Sequence, residues 1–216
     1  MVNTDTMKAA IFDMDGTLLD SMSEWRRLNG EFVRSRGITP TQEQEAEMFS
    51  ISGTMLIPYL KERFGITSDF DTLCEAACRA MEPVYAAGVS LKPGAAQYLR
   101  RLGERGVKCV LATATPARPA LIALNKAGLV SRLDFIYSVD MIGGQKSDAD
   151  FYDRLCGLIG ERREDCVMFE DSLYAMRGAR AAGLGVVGIT DRTNERDREA
   201  IRAVCDLVID SFDELA

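Results

Sequence analysis

Six short apolar runs, each followed by a longer stretch of helical character, constrain this chain more than any other feature. They read "KAAIF" (8–12), "VKCVLA" (107–112), "DFIYS" (134–138), "CVMF" (166–169), "GVVGI" (185–189) and "DLVI" (206–209). The runs are continuous rather than alternating, which suits strands buried on both faces. Strand and helix in regular alternation give an α/β fold, a parallel sheet wrapped by helices. With 216 residues and 47% of them hydrophobic, the chain can bury a core of that size.

Residues 21–90 break the rhythm. "SMSEWRRLNGEFVRSRG" puts Trp25, Leu28 and Phe32 at i, i+3 and i+7, a helical stripe that predicts core packing for Trp25. "GTMLIPYLKERFG" and "SDFDTLCEAACRAMEPVYAAG" also read as helices, the second opened by Ser68 with Asp71 three residues on. No strand pattern stands out here, so the segment reads as an all-helical insert. The expected division is a core of residues 1–20 and 91–216 and an insert of 21–90. "GVSLKPG" (88–94) supplies the return hinge.

Charge and composition narrow the function. A net charge of −7 argues against nucleic acid as a partner. It leaves room for a small anionic substrate, because a metal ion can reverse the field within a cleft. No apolar run is long enough to span a bilayer, and "MVNTDTMKAA" lacks a basic segment followed by an apolar one. The six cysteines show no zinc-site spacing, and several sit in apolar runs where cysteine packs as a small hydrophobe. A reduced, cytoplasmic chain without membrane contact is the expectation.

Ligands of an open α/β sheet collect at the carboxyl ends of its strands. Asp13 and Asp15 follow the first run, Thr113 the second, Lys146 comes beyond the third, and Glu170 with Asp171 close the fourth. If Asp13 and Asp15 extend the strand, their side chains point the same way and repel. Either one keeps its proton or a cation sits between them. A carboxyl with a raised pKa can carry protons in a chain that has no histidine. The natural counter-ion for clustered carboxylates is Mg2+, held by Asp13, Asp171 and Glu170. An aspartate can attack phosphorus, with Lys146 and Thr113 suited to the phosphoryl charge. Gly16 lets the backbone turn sharply and brings bare N–H groups toward the phosphate.

Several neighbours have simpler readings. Thr115-Pro116 resembles an N-cap followed by proline at the first helical position. Ser147 with Asp150 resembles a capping box, and Asp171-Ser172 could cap the helix that follows.

Taken together, the motifs resemble the haloacid dehalogenase superfamily, in its phosphatase and β-phosphoglucomutase-like branch with a helical cap after the first strand. "DMDGTLLDS", "LATAT", "QKSDADFY" and "VMFEDSLYAMRGARAAG" carry the likeness, which covers nearly the whole chain. The resemblance implies a Rossmann-like core and a Mg2+-dependent phosphatase acting on a small phosphorylated metabolite through an aspartyl-phosphate. Asp13 would be the nucleophile and Asp15 the general acid, later the base. Thr113, Ala114, Lys146, Gly16 and Thr17 would surround the phosphoryl group. Asp13, the backbone carbonyl of Asp15, Glu170 and Asp171 would hold the metal. Asp15 favours phosphate-ester chemistry, because members that release halide lack this second aspartate. Two departures stand out. Gln145 and Ser147 flank Lys146 where the family has glycine and proline, which predicts altered loop rigidity. Trp25 and "SISGTM" stand where the sugar phosphomutases carry a cap histidine and arginine, so the mutase is the alternative.

Overall fold

A computed structural model describes residues 4, 6–50, 53–66 and 70–215. Six parallel strands run β1 (Ala9–Phe12), β2 (Lys108–Thr113), β3 (Phe135–Ser138), β4 (Cys166–Glu170), β5 (Gly185–Ile189) and β6 (Leu207–Ile209). Their order across the sheet is β3-β2-β1-β4-β5-β6, so β1 lies between β2 and β4. All six apolar runs are strands. This central position of β1 is what brings its carboxyl end next to those of β2 and β4.

Four helices follow β1 in the chain: α1 (Met22–Ser35), α2 (Gln42–Ser50), α3 (Gly53–Phe64) and α4 (Phe70–Ala87). The remaining helices are α5 (Ala95–Glu104), α6 (Ala117–Ala127), α7 (Val139–Ile142), α8 (Ala149–Ile159), α9 (Leu173–Ala181) and α10 (Arg198–Val204). Of these, α2 has no counterpart in the sequence reading. The Ser68 cap expected for α4 lies outside the described residues.

The pleat of β1 divides the core into two layers. Ala10 and Phe12 face one side, with Tyr98, Leu99 and Leu124 of α5 and α6. Ala9 and Ile11 face the other, with Phe151, Leu155 and Met176 of α8 and α9. Phe12 stacks on Phe169 at 4.7 Å between ring centroids, which ties β1 to β4 just below their functional ends. Both faces are dry, which is why the strands read as unbroken apolar runs.

Val33, Met48, Leu60 and Ile66 form a separate small core among the inserted helices. Trp25 and Leu28 pack against the main core, as their spacing predicted, whereas Phe32 joins the small one. The insert is tied at its base. Leu19 pairs with Leu91 in an antiparallel bridge, and the Asp20 and Lys92 amides donate to the carbonyls of Ser90 and Leu18. Among the described residues no helix is long and apolar enough to cross a membrane. Cys78, Cys109, Cys156, Cys166 and Cys205 all carry free thiols.

Candidate active site

Four of the nominated side chains meet at the carboxyl end of the sheet. The Lys146 ammonium donates to Asp13 Oδ1 and to Glu170 Oε2, each at 2.6 Å. Lysine, aspartate and glutamate are all buried. A lysine at a helix entrance is ordinarily solvated, but this one is drawn inward by two carboxylates. The loop that carries it presses on α9: a Cβ at Gly178 would lie 2.1 Å from the Lys146 carbonyl oxygen. Glu170 Oε1 accepts from the amides of Asp171 and Ser172, fixing the carboxylate that orients the lysine.

Asp13, Glu170 and Asp171 each place a carboxylate oxygen within 4.8 Å of the others. Three carboxylates and one ammonium leave two negative charges uncompensated in a buried site. Burial accordingly pushes the Asp13 carboxyl up to about 7; Lys146 opposes the rise, and Glu170 and Asp15 add to it. Asp171 is raised well above the ordinary carboxylate range by burial, then by Glu170 and Asp13. The site must therefore take up protons or a divalent cation. Hard oxygen donors and a double negative charge fit Mg2+. Asp13, Glu170 and Asp171 are the residues that would hold it.

Asp15 does not share that cluster's side-chain contacts. Its Oδ1 accepts from Ser21 Oγ at 2.6 Å and from Tyr85 OH at 2.7 Å, and its Oδ2 accepts from Thr115 Oγ1 at 2.8 Å. The idea that Asp13 and Asp15 extend the strand and face one cation is corrected here, because β1 ends at Phe12. Beyond that point Asp13 turns to Lys146, whereas Asp15 is held by three hydroxyls from the start of α1, α4 and the loop after β2.

The capping expectations are corrected too. Thr115 does not cap α6; its hydroxyl is on Asp15, and Pro116 occupies the N-cap position. Asp148, not Ser147, precedes α8, and the Ser147 hydroxyl donates to Asp148. Ser172 sits at the N-cap of α9 without a side-chain cap bond. Gly16 turns the chain at φ +84°, but its N–H donates to the Leu19 carbonyl and is not bare. Its further contribution is space: a Cβ there would lie 2.3 Å from Asp171 Oδ2. Thr113 is buried and its Oγ1 accepts from the Thr115 amide at 3.0 Å, which leaves the hydroxyl proton available for donation. Ala114 is exposed on the turn between these threonines. Thr17 is fully buried, and its hydroxyl has no hydrogen-bond partner among the described residues.

A model of the haloacid dehalogenase-like hydrolase family matches residues 7–183, a span that includes every residue of this cluster. The chain belongs to that family. Among characterised relatives, the phosphorylated carbohydrates phosphatase of Thermotoga maritima is 25% identical over 190 residues, covering 88% of each chain. The phosphoglycolate phosphatase of Rhodobacter capsulatus is 27% identical over 199 residues, with 89% of each chain covered. A crystal structure of CbbY from Rhodobacter sphaeroides with xylulose-(1,5)bisphosphate shares the fold at a TM-score of 0.81. That likeness has 23% identity and covers 97% of this chain and 96% of the other. β-Phosphoglucomutase of Clostridium difficile shares it at 0.75 with 16% identity, covering 97% of this chain and 93% of its own.

In this haloacid dehalogenase-like hydrolase the folded chain also brings around the cluster residues that the sequence reading does not nominate. Tyr85 and Ser21 reach Asp15, and Lys92 of the return hinge pairs with Asp191 at 2.5 Å in the loop after β5. Asn194 of the same loop donates to the Asp171 and Ile189 carbonyls. Ser21 closes the first motif and could have been read from it. Tyr85 and Asn194 sit in segments with no chemical pattern, so only the folded chain reveals them.

Proposed function

We propose that this hydrolase is a phosphatase that removes the phosphoryl group from a small phosphorylated metabolite in a reduced, cytoplasmic setting. The observation that carries the reading is the buried Asp13–Lys146–Glu170–Asp171 cluster, with Asp15 held beside it by hydroxyls. An Asp13 carboxylate oxygen attacks phosphorus, forming an aspartyl-phosphate as the ester P–O bond breaks. Asp15 gives a proton to the departing oxygen. It then takes one from the water that attacks the aspartyl-phosphate, so free phosphate leaves and Asp13 is restored. Lys146 and the Thr113 hydroxyl hold phosphoryl oxygens, joined by Gly16, Thr17 and Ala114 around the group. Mg2+ held by Asp13, the Asp15 backbone carbonyl, Glu170 and Asp171 would supply counter-charge for the phosphoryl group.

Residues 21–90 serve as a cap over a core of 1–20 and 91–216, excluding bulk water and choosing the leaving group. The names of the characterised relatives, both phosphatases, support this reading. The test is Asp13→Asn, assayed for phosphate release from a metabolite panel with Mg2+. Hydrolysis should fall to background while the circular dichroism spectrum is retained. Undiminished turnover would reject the nucleophile and the mechanism with it. The likeness in fold to a β-phosphoglucomutase keeps an isomerase as the second reading. Hexose 6-phosphate from hexose 1-phosphate and catalytic bisphosphate, in place of inorganic phosphate, would favour it.

A further inference from the structure

A cavity of about 630 Å³ lies between α1, the return hinge and the loop after β5. That is the size of a small-molecule site. Its lining includes Arg26, Lys92, Asp191, Asn194, Arg192 and Arg198, and every residue that lines it carries a polar or charged side chain. The wall is built rather than incidental. Lys92, almost fully buried, is bonded to Asp191, and the Asp191 amide donates to Asn194 Oδ1. Asn194 in turn is bonded to the backbone of Asp171. One wall of the cavity is thus tied by hydrogen bonds to the backbone of Asp171, a member of the acid cluster.

The cap helix α1 spans the same junction. Met22, at its start, approaches Gly16 beside the Asp171 carboxylate; a Cβ on Gly16 would meet both. Arg26 is one turn further along the same helical face. Burial lowers its guanidinium to about 10, and the carboxylates of Asp191 and Asp171 work against that fall. Lys92 pairs with Asp191 and, at 3.5 Å, with Asp20, and the four cations of the lining (Arg26, Lys92, Arg192 and Arg198) outnumber its three carboxylates (Asp20, Asp191 and Glu195).

We propose that this cavity seats the non-reacting end of the substrate, and that Arg26 selects there a leaving group carrying an anionic oxygen group, a carboxylate or a second phosphate. The inference rests on the phosphatase reading and names its substrate class. The guanidinium fork matches both groups bidentately, whereas a purely hydroxylated chain offers it no charge.

The experiment compares 2-phosphoglycolate, glycerol 1,3-bisphosphate and neutral-ended glycerol 3-phosphate. Turnover is measured on the wild-type chain, and binding by calorimetry on Asp13→Asn. The anion-bearing probes should be favoured about tenfold or more, a preference expressed in KM and in Kd. Arg26→Gln should bring the ratio close to one, and Arg26→Lys should retain part of it. The carboxylate and bisphosphate arms show which anion is read. Absence of preference in the wild type, or a ratio unmoved by Arg26→Gln, overturns the proposal. Absence of turnover by the wild type on every ester tells against the phosphatase reading instead, and the binding ratio still decides the role of Arg26.

Discussion

Asp13 and Asp15 stand one residue apart and live in different environments. Asp13 faces an ammonium and two acids, whereas Asp15 faces three hydroxyls. In the proposed mechanism that division lets two similar side chains do different work, one as nucleophile and one as proton carrier. Tyr85 is the informative probe, since it comes from α4, among the helices that follow β1, and reaches Asp15 from there. Tyr85→Phe removes one of the three hydrogen bonds and little volume. We expect kcat to fall about 3- to 10-fold with KM little changed, the cost of one positioning hydrogen bond. The pH–rate profile should shift as well. An unchanged profile and kcat would show that the tyrosine merely fills space.

At the level of elements, α9 and the loop that carries Lys146 depend on a single missing methyl group. Gly178 lies mid-helix, where glycine is disfavoured by about 1 kcal/mol relative to alanine. Propensity alone therefore predicts that Gly178→Ala stabilises. The structure predicts the reverse, because the Cβ would overlap the Lys146 and Ser147 backbone. Urea unfolding should show a loss of about 1–3 kcal/mol, the usual range for overpacking, with activity reduced as Lys146 is displaced. A stabilised, fully active variant would contradict the contact. The helix α2 teaches a related lesson from the other side. Thr41 and Gln44 form a reciprocal capping box, Gln44 Oε1 accepting from the Thr41 amide and Thr41 Oγ1 from the Gln44 amide. The T-x-x-Q signal was present in the sequence, but no strong apolar stripe followed it.

For the whole molecule, the buried double negative charge makes stability depend on pH and on metal together. Asp13 titrates at about 7 in the folded chain against an ordinary 3.8. Between those values the folded form keeps a proton that the unfolded chain has shed. The stabilisation from this group in metal-free protein therefore falls as pH rises. Asp171 acts in the same direction. A divalent cation held by these carboxylates would displace the protons, so its binding should strengthen as they leave. The rise in Tm caused by excess Mg2+ should be larger near pH 8 than near pH 5.5, and Asp13→Asn should diminish the difference. A pH-independent rise would place the cation elsewhere.

The sequence by itself determined the sheet, because strands dry on both faces must be continuously apolar and every such run became a strand. It also determined which chemical groups stand at the strand ends, since strand direction and order of motifs bring them to one edge. Tertiary structure decided how those groups pair. Lys146 meets Asp13 from 133 residues away and Tyr85 meets Asp15 from 70, separations over which no local pattern operates. It also decided that Thr115 serves Asp15 rather than a helix end, and that Arg26, part of an ordinary helical stretch in the sequence, lines a cavity whose wall is hydrogen-bonded to the Asp171 backbone. The physical reason is range. Burial periodicity and turn chemistry act over a few residues and are written locally, whereas hydrogen bonds and charge pairs in a buried site depend on distances that only the packed chain sets.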